Sequence, residues 1–82
     1  MTHTVKVKCH IEKHNLLFVN SLVDSYEGLG IIRTLDSIKG NVVIYSTNTV
    51  YKQLLKVLDE LNKSGIEITD IRTEVSEDVD NW

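Results

Sequence analysis

Two runs of β-branched and apolar residues, 31–35 (IIRTL) and 41–45 (NVVIY), flank the segment DSIKG at residues 36–40. Runs of this kind, bounded by Asp, Ser and Gly, predict two strands joined by a short hairpin loop. The hairpin constrains everything around it. A segment of helical periodicity lies on each side, and one more strand lies beyond each helix. The chain therefore reads β-α-β-β-α-β.

Residues 4–11 (TVKVKCHI) alternate strictly. Val5, Val7, Cys9 and Ile11 point one way and Lys6, Lys8 and His10 the other, as in a half-buried strand. After a turn at residues 12–15, the stripe Leu16, Val19, Leu22, Val23 and Tyr26 predicts a helix over residues 16–27. Asn15 is placed to cap its first turn, and Gly28 to end it in the left-handed conformation. The second stripe is Val50, Leu54, Val57, Leu58 and Leu61. Thr47, Asn48 and Thr49 are its candidate N-caps and Gly65 its stop. In the last strand Ile66 and Ile68 share one parity, Ile71 and Val75 the other, which predicts a bulge near Thr69 and Asp70. Residues 1–75 read as one domain; the acidic segment 76–82 (SEDVDNW) is expected to fray.

With right-handed crossovers and the hairpin's second strand beside the first strand, this element order gives a ferredoxin-like α+β sandwich. The expected sheet is antiparallel, in the order 4-1-3-2, with both helices on one face. Val5, Val7, Ile11, Leu16, Val19, Val23, Leu54, Val57, Leu58 and Leu61 are the expected core, with Cys9 among them.

A chain of 82 residues supports one such core. Its net charge of −3 gives no broad attraction to phosphate backbones or anionic lipid, so neither nucleic acid nor a membrane is an expected partner. The single cysteine excludes an intrachain disulfide and fits a reducing compartment. No apolar run approaches the length of a signal peptide or a membrane span. The expected location is the cytoplasm.

The segment LVDSYEGLGIIRTLD at residues 22–36, followed by GNVVIYST and a leucine-rich helix, resembles small bacterial proteins of unknown function with an ACT-like fold. The likeness spans about residues 4–74. It implies a stand-alone ACT-like domain. ACT domains bind amino acids and regulate enzymes, usually through dimer interfaces, and carry an acidic-Pro-Gly turn after the first strand. Here that turn is Glu12, Lys13, His14 and Asn15, with neither Pro nor Gly.

If a ligand binds, it is expected at this turn, where free amides at a helix N-terminus favour an anion such as an amino-acid carboxylate. Glu12, His14 and Asn15 are the candidate ligand-binding residues. Cys9 and His10 face opposite sides of a strand, and no Cys-x-x-Cys is present, so no metal site is expected. No cofactor motif is present. No phosphate cradle follows the first strand, and Asp24 and Glu27 lie at a wet helix end. The chain is therefore expected to be non-catalytic, a small-molecule-sensing or interaction module. The alternative is nucleic-acid binding on the open sheet face through Lys6, Lys8 and His10, where Tyr45 is the one aromatic of the central strands. A homodimer is also expected. The edge strand is apolar and proline-free, and Ile31, Ile32, Val43 and Tyr45 would form a bare patch for a second copy. In a monomer, Trp82 folding back over Tyr45 would cover that patch instead.

Overall fold

A computed structural model of the chain describes residues 3–75. Its elements are β1 (Thr4–Ile11), α1 (Lys13–Ser25), β2 (Ile31–Asp36), β3 (Asn41–Thr47), α2 (Tyr51–Lys63) and β4 (Ile68–Val75). The strands form one four-stranded antiparallel sheet, β2-β3-β1-β4, and the whole is consistent with a ferredoxin-like α+β fold. Residues 76–82, expected to fray, lie outside the described residues.

Alternation in β1 puts Val7, Cys9 and Ile11 on the helix-bearing face. There they join Val42 and Ile44 of β3, Val19 and Val23 of α1, and Leu54, Val57, Leu58 and Leu61 of α2. Leu29 and Ile68 complete the cluster, and Leu16 packs at its border, partly buried. Burying such side chains supplies the main driving force for a domain of this size.

α1 begins at Lys13, three residues before the expected start at Leu16. Glu12, not Asn15, is the residue at the N-terminal boundary, and its side chain makes no capping hydrogen bond. Its extended backbone, φ −58° and ψ 141°, lets the helix follow β1 at once. Asn15 is thereby drawn into the first turn, where its N–H donates to the Glu12 carbonyl at 2.9 Å. The helix also stops early. Ser25 is its last residue, Tyr26 is already extended, and Gly28, with φ +77°, lies beyond the cap.

α2 is not capped by Thr47, Asn48 or Thr49 either; Val50 holds the boundary, without a side-chain hydrogen bond. Asn48 is engaged elsewhere: its Oδ1 accepts from the His3 N–H at 2.8 Å, and its own N–H donates to the His3 carbonyl at 3.0 Å. The other end of α2 is closed by a Schellman motif. Gly65, at φ +98°, donates its N–H to the Asn62 carbonyl at 3.2 Å, and the Ile66 N–H reaches the Leu61 carbonyl at 3.0 Å. Ile66 then packs against the core. The Asn62 side chain brackets the start of β4. Its Oδ1 accepts from the Ile68 N–H at 2.8 Å and its Nδ2 donates to the Ile68 carbonyl at 3.0 Å.

β4 carries the expected irregularity. Lys8 faces Arg72 but His10 faces Thr69, so β4 has one extra residue between them, and Asp70 there has φ +53°. Directly opposed residues of antiparallel strands share a face. The bulge therefore keeps Ile71, Thr73 and Val75 on the side of Val5 and Val7, and turns Arg72 and Glu74 to the other face with Lys8 and Lys6. A second register shift, between Thr34 and Asp36, adds a residue to β2 just before the hairpin loop.

Candidate functional site

Asp36 organises the hairpin loop. Its Oδ1 accepts from the N–H groups of Ile38 and Lys39, both at 3.0 Å, and its carbonyl accepts from Gly40 at 2.8 Å. Gly40 then crosses the end of β1. Its carbonyl accepts from the Ile11 N–H at 2.9 Å. A Cβ at Gly40 would stand 2.3 Å from the Ile11 carbonyl oxygen and 3.1 Å from His10 Nε2. The position also has φ +77°, so both the conformation and the close approach require glycine.

This contact presses the loop against the β1–α1 turn and leaves an open cleft of about 300 Å³ between them. One wall is His10, Glu12, Lys13 and His14; the other is Ile38, Lys39 and Gly40. The N-terminus of α1 lies at the cleft, with no acidic residue in its first turn and no side-chain cap. The positive end of its dipole adds to the charge of Lys13 and Lys39. His14 Nδ1 lies 3.6 Å from the Glu12 carboxylate, an ion pair when the imidazole is protonated. The arrangement suits an anion with room for a polar body.

Of the residues singled out from sequence, Glu12 and His14 line this cleft and Asn15 does not. His10, Lys13, Lys39 and Gly40 also line it. The signal for the loop wall was present in the Asp36-to-Gly40 turn chemistry, but the contact between Gly40 and Ile11 is non-local.

The four residues expected to form a bare dimer patch are placed differently from one another. Ile31 is 72% exposed and Tyr45 half-buried. Ile32 is opposite Ile44 and packs against the core, on the helix side. Val43 is only 1% exposed. The continuous apolar patch expected on β2 and β3 is thus not found: strand parity takes Ile32 to the other face, and Val43 sits between Arg33 and Lys8. Pairing arranges the outer face in rows, Ile31, Tyr45, Lys6 and Glu74 in one, Arg33, Val43, Lys8 and Arg72 in the next. Lys8 Nζ is 2.9 Å from the Glu74 carboxylate, and this hydrogen bond, with the lysine's charge, lowers the Glu74 pKa. A second cleft, about 290 Å³, opens at the end of the upper row between Gly28, Ile31, Tyr45 and Thr47.

A family model described as "Domain of unknown function (DUF4911)" matches residues 9–64, more than half of the chain. The chain belongs to the DUF4911 family. Neither a curated protein nor a solved structure matches it. Both walls of the first cleft fall inside the DUF4911 match, whereas β4 lies outside it.

Cys9 of this DUF4911 chain faces the core at 2% exposure, and burial pushes its thiol up to about 12. It stays protonated at neutral pH, which makes it a poor nucleophile and a poor metal ligand. Among the described residues no group of three or more His, Cys, Asp or Glu side chains is placed to hold a metal ion. No helix among them is long and apolar enough to cross a membrane.

Proposed function

We propose that this DUF4911 chain is a non-catalytic, ACT-like regulatory module that holds a small carboxylate, such as an amino acid, in the cleft between the β1–α1 turn and the hairpin loop. The observation that carries this reading is the uncapped N-terminus of α1, open to a cleft lined by Lys13, His14, His10 and Lys39. Helix-terminal amides and nearby cations favour an anion. Glu12 then selects against a simple divalent anion and for a zwitterion, because its carboxylate stands ready for the ligand's ammonium group.

Thermal-shift titration with the common amino acids, matched by their amides and by acetate, tests this. The expected result is a rise in Tm at millimolar concentration for one or a few amino acids, absent with the amide and lost in the Lys39→Ala, His14→Ala double variant. If no amino acid raises the Tm, the reading fails.

Homodimerisation belongs to the same proposal in a narrower form. It would use the open edge of β2, which begins at the exposed Ile31, and not a bare apolar face. Light scattering on a size-exclusion column gives the mass directly. Nucleic-acid binding on the outer face has one supporting observation, the rows that bring Lys6, Lys8, Arg33 and Arg72 together. It is disfavoured by the 12% side-chain exposure of Lys8 and by its pairing with Glu74, which leave little of that lysine for phosphate. A salt-dependent mobility shift with a single-stranded oligonucleotide is the outcome that would restore it.

A further inference from the structure

We propose that the edge of β4 pairs with the same strand of a second copy, antiparallel and centred on Thr73, so that two sheets join into one. β4 is the outermost strand beside β1, and among the described residues no strand pairs with its other side. The bulge at Asp70 marks off residues 71–75 as the regular length of that edge. Ile71, Thr73 and Val75 share the helix-bearing face with Val5 and Val7, which are 1% and 0% exposed. α2 grips the start of β4 through Asn62 and Ile68, but further along the strand Ile71 and Val75 are 37% and 69% exposed. The core face thus runs out past its cover at this edge. Apolar side chains on an open, proline-free edge are a template for another strand.

The order of charges identifies the occupant as this chain itself. A twofold axis perpendicular to the sheet keeps every side chain on its own face, so an antiparallel pair of identical strands is centred on a residue and not between two. Centring on Arg72 or on Glu74 sets that charge against its own copy, which is destabilising. Centring on Ile71 runs the ladder through the bulge, and centring on Val75 pairs no other described residue. Centring on Thr73 suits every position. Arg72 then opposes the partner's Glu74, and Glu74 the partner's Arg72, on the outer face. Ile71 opposes the partner's Val75, and Val75 the partner's Ile71, on the helix-bearing face, with the two threonines between them. Opposite-charge and Thr–Thr pairs are favourable directly across antiparallel strands, and the apolar pairs bury surface. Lys8 anchors Glu74 from within the chain, Nζ to Oε2 at 2.9 Å, and that side chain is still 50% exposed to the incoming arginine. No residue of this contact lines either cleft, and the edge of β2 lies at the far side of the sheet. The contact is therefore separate from the proposed ligand site and from pairing at β2. It also lies outside the residues that match DUF4911.

A contact confined to one edge strand is small, so light scattering is carried up to about 1 mM chain, where a weak pair is populated. The native chain is expected to reach the dimer mass within that range. Arg72→Glu and Glu74→Arg each set like charges opposite one another at both crossings, and each alone is expected to stay at the monomer mass. Mixed in equal amounts they are expected to regain the dimer, because each supplies the charge that the other lacks. The double variant Arg72→Glu, Glu74→Arg exchanges the two charges, keeps a carboxylate beside Lys8, and is expected to dimerise as the native chain does. In the native chain, amide hydrogen exchange is expected to slow with concentration within residues 71–75 and not within Ile31–Asp36. A native monomer at the top of the concentration range overturns the proposal. So does a dimer that survives both single reversals, or one whose added protection falls in Ile31–Asp36, which places the contact at β2. Single variants that stay monomeric when mixed, or a monomeric double variant, also overturn it, since the reversals then act within one chain and not between two.

Discussion

α1 and α2 are both helices of 13 residues packed against the same sheet face, and the chain uses them differently. α2 buries Leu54, Val57, Leu58 and Leu61, whereas α1 buries only Val19 and Val23 and leaves Leu17 and Phe18 in water. α2 ends in a Schellman motif at Gly65, has Lys63 in its last turn, and grips the start of β4 through Asn62. α1 has no side-chain cap at its start and no basic residue in its last turn. The difference is one of anchoring, not of N-terminal capping, since neither helix has a side-chain cap at its start. α2 is held by four buried apolar side chains and a closed C-terminus. α1 is held by two valines with Leu16 and Leu22 partly buried beside them, and its N-terminus lies at the cleft. Lower stability where a ligand is held is the common pattern for binding segments.

The largest expected effect falls on α2. Leu58 is fully buried at the centre of the cluster. Truncation to Ala should cost about 2–5 kcal/mol, read from the urea midpoint at unchanged m-value. A cost below about 0.5 kcal/mol would mean that α2 is no more an anchor than α1.

The second effect comes from the core that both helices roof. Folding raises the Cys9 pKa from 9.0 to about 12. Well below pH 9.0 the thiol is protonated in both states and stability is insensitive to it. Between these two values the unfolded chain releases the proton and the folded chain retains it, so stability falls as pH rises, by about 1.4 kcal/mol per pH unit. Cys9→Ala removes this slope. The variant and the native chain, melted in parallel from neutral to alkaline pH, separate it from the titration of lysines. Parallel curves would place Cys9 in contact with water, beneath a roof that opens.

How much of this was legible from sequence differs between the same two helices. The leucine stripe of α2, its glycine stop and the bulge in β4 could be read because each is written in residues close along the chain. Parity around Asp70 is such a local signal, and so is Gly65 after Lys63. The start of α1 could not be read in this way. Asn15 and the Thr47-to-Thr49 run are good capping residue types, but capping depends on where the preceding strand delivers the chain. β1 delivers it at Glu12, and Asn48 is taken by His3, a partner 45 residues away. The candidate site divides similarly. Glu12 and His14 follow from the turn after β1, whereas Lys39 and Gly40 enter because Gly40 meets Ile11 across the fold. The outer face was misjudged for a further reason. Apolarity on both parities of β3 did not reveal that Ile32 of β2 turns to the helices and that Val43 sits between Arg33 and Lys8.

The third effect tests the closure of α2. Gly65 sits at φ +98° with open space around an added Cβ, so Gly65→Ala meets only the conformational penalty, about 1–2 kcal/mol. The same substitution at Gly28, also at positive φ and also unobstructed, meets a similar penalty but closes no Schellman motif. If the Gly65 variant loses no more amide protection across Asn62–Ile68 than the Gly28 variant loses around Tyr26, the closure of α2 is ordinary and the contrast weakens.

The smallest expected effect is the sharpest test of α1. Leu17 is 78% exposed, on the side of the helix away from Val19 and Val23, so truncation removes almost no buried surface. Leu17→Ala should change stability by less than about 0.5 kcal/mol, because surface substitutions away from caps and cores rarely do more. Alanine also has the higher helix propensity, which offsets the little packing that is lost. Set beside Leu58→Ala, the same chemical change then differs by several-fold between two helices of equal length, and the reason is burial alone. A cost above about 1 kcal/mol at Leu17 would mean that its side chain is covered in solution. In a single chain nothing on α1 provides that cover. The difference would then persist at high protein concentration and vanish on dilution, and α1, not the edge of β2, would be where a second copy of this DUF4911 chain binds.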